Sequence, residues 1–228
     1  MKISLCLLTL NEIHGCKADV PLLPLDQFDE VYTIDGGSKD GTCEYLSDMG
    51  IKVFQQDEPG YNNAYISAFR RCTTDAVVLF HPKGSIEPDV VRQFRTYLED
   101  EYELVIASRM AKGAVNEEDQ QFFKPRKWFV LGLALMAKLA WQREGNTVWD
   151  VLHGLRAVKK EAFSRIAPLD KGLSIDLELV ARAYKLKLKR VEFPVVERPR
   201  LHGSTHFNAF STGRALLRYF IFELLRRE

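Results

Sequence analysis

Short apolar runs alternate with amphipathic stretches through the first half of the chain. Residues 2–9, 30–34, 52–55, 76–80 and 104–107 read as strands, and residues 40–49, 63–71 and 88–99 carry helical periodicity. Buried strands separated by amphipathic helices imply a mostly parallel α/β sheet with right-handed crossovers and helices on its faces. Sheets of this kind gather ligands at the carboxyl ends of their strands. Thr9, Asp35, His81 to Lys83, and Ser108 with Arg109 all fall at such ends, so one shared site is expected there.

The second half is less regular. Residues 111–124 are polar and acidic without a period, which fits a mobile loop beside the site or a plain surface excursion. Residues 125–142 predict a helix with a broad apolar face and basic flanks. A strand near 154–158, helices at 160–166 and 175–185 and a strand at 188–193 follow. The end is amphipathic: Phe210, Leu216, Leu217, Phe220, Leu224 and Leu225 mix with Arg214 and Arg218. Residues 1–206 therefore read as one α/β domain, and 207–228 as an appended amphipathic helix.

Composition narrows the classes. A hydrophobic content of 46% supports a substantial core, and a formal charge of +1 gives no reason to expect nucleic acid. Charge is unevenly placed, however. Residues 124–143 hold five Lys or Arg and no acid, and 198–228 hold six Arg against two Glu. Such excess suits an anionic membrane surface or a phosphate ligand, while an ordinary packed helix or a homodimer contact explains the same helices. Cys6, Cys16, Cys43 and Cys72 lack metal-ligand spacing and read as reduced thiols. The start is too short for a signal peptide, and no apolar stretch reaches the roughly 20 residues of a membrane span. A cytoplasmic protein is expected, with peripheral membrane contact left open.

The segment Ile34-Asp35-Gly36-Gly37-Ser38-Lys39-Asp40-Gly41-Thr42 leaves a strand and opens a helix. A carboxylate there can accept hydrogen bonds from a base or ribose, the glycines admit a ligand close to the backbone, and Asp40 can cap the helix. A plain strand-to-helix turn accounts for the glycines and the cap, and less well for all nine residues.

Further motifs lie in order along the chain: Thr9-Leu10-Asn11-Glu12, Gly60-Tyr61-Asn62-Asn63-Ala64-Tyr65, Ala107-Ser108-Arg109, Asp150-Val151-Leu152-His153-Gly154-Leu155-Arg156, and Glu192-Phe193-Pro194 with Arg200 to His206. With these the chain resembles the GT-A glycosyltransferases of family 2, and among them the dolichyl-phosphate mannose synthase and polyprenyl-phosphate glycosyltransferase group. The resemblance implies a GT-A (Rossmann-like) fold and a nucleotide-sugar donor, GDP- or UDP-hexose. It also implies a polyprenyl phosphate (dolichyl or undecaprenyl) acceptor and inversion at the anomeric carbon. Thr9, Asn11, Glu12, Asp35, Gly37, Gly60, His81, Ser108 and His206 would then line the nucleotide sugar. Arg109 and Arg200 would reach the phosphates, and Asp150 would position the sugar or support the site. Arg156 reads equally as a salt bridge at the core edge, and Asp176 and Glu178 as acids that begin a helix.

One departure matters. The family's Asp-x-Asp pair, which ligates a divalent ion, falls on His81-Pro82-Lys83. Mg²⁺ and Mn²⁺ take hard oxygen ligands, which neither side chain provides. The expectation is therefore no cofactor and no metal ligand, with Lys83, Arg109 and Arg200 sharing the ion's electrostatic role. Mg²⁺ or Mn²⁺ remains the alternative if other ligands converge. The alternative to transfer is a GT-A protein that binds nucleotide sugars or serves as a scaffold without turnover. The sugar, the base and the oligomeric state are not legible.

Overall fold

A computed structural model describes residues 1–169, 172–202 and 209–226. Seven strands form a single sheet: β1 (Ile3–Thr9), β2 (Glu30–Asp35), β3 (Lys52–Gln55), β4 (Ala76–Phe80), β5 (Leu104–Ser108), β6 (Arg156–Lys159) and β7 (Arg190–Pro194). Their order is β3-β2-β1-β4-β6-β5-β7. All pairings are parallel except those of β6, which runs antiparallel to both β4 and β5. The central strands β1, β4 and β5 are buried at every position, as continuous apolar runs in a sheet covered on both faces should be.

Helices α1 (Ile13–Asp19), α2 (Thr42–Asp48), α3 (Tyr61–Arg71), α4 (Gln93–Glu99), α5 (Pro125–Trp141), α6 (Lys160–Ile166), α7 (Ile175–Lys185) and α8 (Ala209–Leu225) fill the connections. Two apolar clusters result, one per face. Leu79, Ile106, Leu133 and Leu179 belong to one, and Leu5, Val78, Phe94 and Val105 to the other.

Two expectations change and a third is refined. The helix expected at 88–99 is split into a 3₁₀ turn (Pro88–Arg92) and α4. Helix α1 was not foreseen. The 111–124 segment forms no helix or strand, as expected, and gains unforeseen anchors: the Val115 amide donates to Val195, the Glu197 amide donates to Val115, and Glu118 is buried. Among the described residues no helix is long and apolar enough to cross a membrane.

Candidate functional site

Thr9, Asp35, His81 to Lys83 and Ser108 stand at the ends of β1, β2, β4 and β5, on one edge of the sheet. At the first two strands the loop is held by Asp35. Its carboxylate accepts the Gly37 and Ser38 amides at 2.9 and 2.7 Å, the Thr9 hydroxyl at 2.8 Å and the Ser38 hydroxyl at 2.6 Å. Burial raises its pKa, but the bonds from Ser38, Thr9 and Gly37 outweigh that and bring it below the usual carboxylate value. Asp35 thus shapes the turn with bonds supplied by the protein itself. Asn11 locks the same loop, its side-chain oxygen accepting the Lys39 amide at 2.8 Å. Asp40 accepts from the Thr42 amide at the start of α2, as expected, and also from the Ile13 amide at the start of α1.

Helix α1 supports the tip of β4. A Cβ at Gly15 would stand 2.1 Å from the Pro82 carbonyl oxygen, so no larger residue permits this approach. Asp19, at the other end of the helix, is buried and accepts the Gly84 amide at 2.8 Å. Burial pushes its pKa up to about 6, against the hydrogen bonds from Gly84 and Lys83.

His81 leans on Tyr61 and Tyr65, with ring centroids 6.0 and 6.3 Å away. Gly154 admits the ring, since a Cβ there would lie 2.6 Å from His81 Cε1. Burial holds the His81 pKa well below its ordinary value, helped by the charges of Lys83, His153 and Arg156. The neutral ring leaves a buried Nε2 without a partner among the described residues. A cavity of about 20 Å³, lined by His81, Lys83, Ser85, His153, Gly154 and Glu197, adjoins it. That volume holds one water. The Tyr61 and Tyr65 hydroxyls both donate to Asp176, at 3.0 and 2.9 Å, and Asp176 also pairs with fully buried Arg156 at 3.0 Å. Asp176 does begin α7, and it is in addition the acceptor that fixes this layer.

The cations divide sharply. Arg109 donates from Nε and Nη2 to the two oxygens of Asp150, each at 2.8 Å, and from Nη1 to Glu197 at 3.2 Å. Coulombic attraction to Arg109 overcomes the burial of Asp150 and lowers its pKa to about 2. Arg200 contacts both carboxylate oxygens of Glu12, at 2.5 and 2.7 Å. Lys83 differs: among the described residues its ammonium makes no hydrogen bond or ion pair. Burial lowers its pKa, as do Arg200 and Arg109, while Glu197 and Glu12 oppose the shift.

The structure therefore brings Thr9, Glu12, Asp35, His81, Lys83, Arg109, Asp150 and Arg200 to one edge. Gly60 precedes α3, whose Tyr61 reaches His81, and Ser108 turns the chain by accepting the Met110 and Ala111 amides. His206 lies outside the described residues. Sequence reasoning missed Gly15, Asp19, Glu197 and the tyrosine pair. The Ile13, Cys16 and Val20 spacing was the one available sign of α1.

The donor set does not suit a hard divalent ion. The tip of β4 offers an imidazole and an ammonium, and the nearby carboxylates Glu12, Asp150 and Glu197 are engaged by arginines. Among the described residues no three His, Cys, Asp or Glu side chains converge.

Comparison with known proteins agrees with this architecture. The glycosyl transferase family 2 model matches residues 16–167. A dolichyl-phosphate hexose transferase of Haloferax volcanii is 30% identical over 214 residues, covering 91% of this chain and 87% of that protein. A dolichol-phosphate mannosyltransferase of Pyrococcus furiosus is 24% identical over 221 residues; the match covers 91% of this chain and 61% of that protein. A glucosyl-3-phosphoglycerate synthase of Mycobacterium tuberculosis, solved with Mn²⁺, uridine diphosphate and phosphoglyceric acid, superposes with a TM-score of 0.79 at 18% identity. That superposition covers all of this chain and 80% of the other, and it shows the shared fold. By the family match and by the 30% identical relative, this chain belongs to glycosyltransferase family 2.

Proposed function

We propose that this family 2 glycosyltransferase moves a hexose from GDP or UDP to a polyprenyl phosphate, with inversion and without a divalent ion. An acceptor phosphate oxygen attacks the anomeric carbon in line with the departing diphosphate. One C–O bond forms, another breaks, and the nucleoside diphosphate leaves with the electron pair. The nucleophile is already anionic, so no general base is needed. The protein's task is to hold two negative groups together.

One observation carries this proposal: the Lys83 ammonium stands just past β4 with no ion-pair partner among the described residues, at the position to which the family resemblance assigns the acidic pair. A flexible, compact point charge can follow a leaving diphosphate as the charge develops. The donor diphosphate would return the Lys83 pKa toward its ordinary value, since its negative charge would add to that of Glu197 and Glu12. Arg200 would assist by exchanging Glu12 for a phosphate oxygen. Arg109, bound by Asp150 and Glu197, would instead fix the end of β5 and the loop after it. Relatives named as transferases, rather than as binding proteins, favour turnover over a binding-only scaffold.

The test is transfer of labelled hexose from a panel of GDP- and UDP-hexoses to dolichyl and undecaprenyl phosphate, with EDTA present throughout. Transfer that survives EDTA is expected. A strict requirement for added Mg²⁺ or Mn²⁺ would overturn the metal-free step, and donor binding without product would overturn transfer itself.

A further inference from the structure

The backbone around Lys83 is fixed from both sides. Its carbonyl accepts the Leu201 amide at 3.3 Å, and the next residue, Gly84, gives its amide to Asp19 at 2.8 Å. Gly84 has φ +65°, and a Cβ there would stand 2.4 Å from Leu201 Cδ1, so the chain after β7 lies directly over this turn. Only the flexible Lys83 stem is left to move.

The amine at the end of that stem lacks the surroundings of a settled cation. Other partly buried lysines are matched: Lys185 reaches Glu223 at 2.9 Å, and Lys124 reaches Asp119 at 3.3 Å. Lys83 makes no hydrogen bond or ion pair among the described residues. Glu197 and Glu12 act on it, but arginines already hold both: Arg109 reaches Glu197 at 3.2 Å, and Arg200 reaches Glu12 at 2.5 and 2.7 Å. The same two arginines act on Lys83 as neighbouring positive charges. His81 and His153 add no charge at neutral pH, because burial lowers the pKa of each, that of His153 to about 4. Burial, Arg200 and Arg109 lower the Lys83 pKa in turn, which raises the share of free amine, the form that attacks an electrophile.

The space beside the amine limits the size of that electrophile. The cavity of about 20 Å³ is lined by Lys83, His81, Ser85, His153, Gly154 and Glu197, and it holds one water. Carbon dioxide is neutral, triatomic and about as narrow as water, so it can enter where a sugar aldehyde or an acyl donor cannot. The product of its addition to an amine is a planar carboxylate, the group that guanidinium donors such as Arg109 and Arg200 are shaped to hold.

We propose that Lys83 is a carbon dioxide acceptor, and that the reversible carbamate formed there shuts off sugar transfer. The free amine nitrogen attacks the carbon of CO₂. One N–C bond forms, one C=O electron pair moves onto oxygen, and a proton leaves the nitrogen for solvent. Counted from the ammonium, two protons are released, and a positive charge becomes a negative one. The inference rests on the metal-free reading above, in which this cation meets the leaving diphosphate; a carbamate would repel the diphosphate instead.

The experiment exposes the whole chain to isotopically labelled bicarbonate and CO₂ at fixed pH and ionic strength. Any carbamate is trapped as its ester with a trialkyloxonium reagent and located by peptide mass spectrometry, while transfer is assayed in parallel with EDTA and with Mg²⁺. Label is expected on Lys83 and not on exposed Lys112. Transfer in EDTA should fall by the labelled fraction and return on degassing. Acetate at the same concentration, an anion that does not modify amines, should leave transfer unchanged. Residual transfer by Lys83→Arg, which keeps a cation but forms no carbamate, should ignore CO₂. Absence of label on Lys83 overturns the inference. So does label with unchanged transfer, or an equal loss with acetate or in Lys83→Arg. The metal-free reading fails separately: a labelled protein that transfers faster, and only with Mg²⁺, keeps the modification and overturns the metal-free step, whereas EDTA-resistant transfer without label does the reverse.

Discussion

Replacing Asp150 by Asn removes one charge from a fully buried position while keeping its size. In the native protein Asp150 receives the Arg109 amide at 2.9 Å and two guanidinium nitrogens at 2.8 Å each. Its pKa falls from 3.8 to about 2. At about 1.36 kcal/mol per tenfold change in proton affinity, that depression amounts to about 2 kcal/mol of stability at neutral pH. The direction follows from the depressed value: the contribution is present above the unfolded pKa near 3.8 and is lost as pH falls through about 2. Removing one partner of a buried pair costs about 3–5 kcal/mol when the other charge is stranded. Here Glu197 still reaches Arg109, whose side chain is 17% exposed, and Asn retains one acceptor, so the cost belongs at the lower end. Urea denaturation at pH 7 should show Asp150→Asn less stable by about 2–4 kcal/mol, with the gap unchanged between about pH 8 and pH 5. A loss below about 1 kcal/mol would refute the claim that this pair holds the end of β5.

Lys83→Met should cut transfer at least about 100-fold without lowering the melting temperature, because burial and the nearby arginines disfavour the native ammonium. With a depressed lysine pKa, the native state bears this cost at neutral pH and is relieved of it only above the unfolded value of 10.5; a clear drop in melting temperature in calorimetry would contradict the assignment. Gly15→Val should destabilise the protein by about 1–3 kcal/mol by driving a side chain into Pro82, and it should weaken donor binding in a thermal-shift titration; wild-type behaviour on both counts would contradict the packing. Wild-type transfer should fall as pH drops through about 6, where Asp19 gains a proton and holds Gly84 less well, and Asp19→Asn should lose that acid limb in a pH–rate profile. The stability effect of Asp19 has the opposite sense: with its pKa raised from 3.8 to about 6, its contribution is present below pH 3.8 and lost as pH rises through 6.

The sequence indicated the positions of the strands better than their directions. Apolar runs marked β1, β2, β4 and β5, and the parallel-sheet rule then placed Thr9, Asp35, Lys83 and Ser108 on one edge. Nothing local in Arg156–Lys159 reveals that β6 runs antiparallel, because its direction depends on how residues 142–155 return across the sheet. Helix α1 escaped notice because it has only seven residues and its first amide is satisfied by Asp40, 27 residues away. The anchors of 111–124 escaped notice for the same reason: Val195 and Glu197 lie far along the chain. Gly154 stood in a motif, but its purpose is visible only once His81 sits above it.

Charge pairing was the least legible feature, and it changes the chemistry most. From the sequence, Lys83, Arg109 and Arg200 looked like three equivalent cations awaiting a diphosphate. In the fold, Arg200 meets Glu12 across 188 positions, and Arg109 meets Asp150 and Glu197 across 41 and 88. Three carboxylates thus already hold two of these cations before a donor arrives. In the proposed site a diphosphate would therefore compete with Glu12 for Arg200 and with two carboxylates for Arg109, whereas Lys83 has no ion-pair partner to displace among the described residues. This ordering makes a sharper demand than an excess of positive charge would. Lys83→Met should depress kcat more than Arg200→Met does, and Glu12→Gln, by weakening the Glu12 hold on Arg200, should tighten donor binding. Donor affinity unchanged in Glu12→Gln, measured by calorimetric titration, would mean that the Glu12–Arg200 pair does not gate the phosphate site.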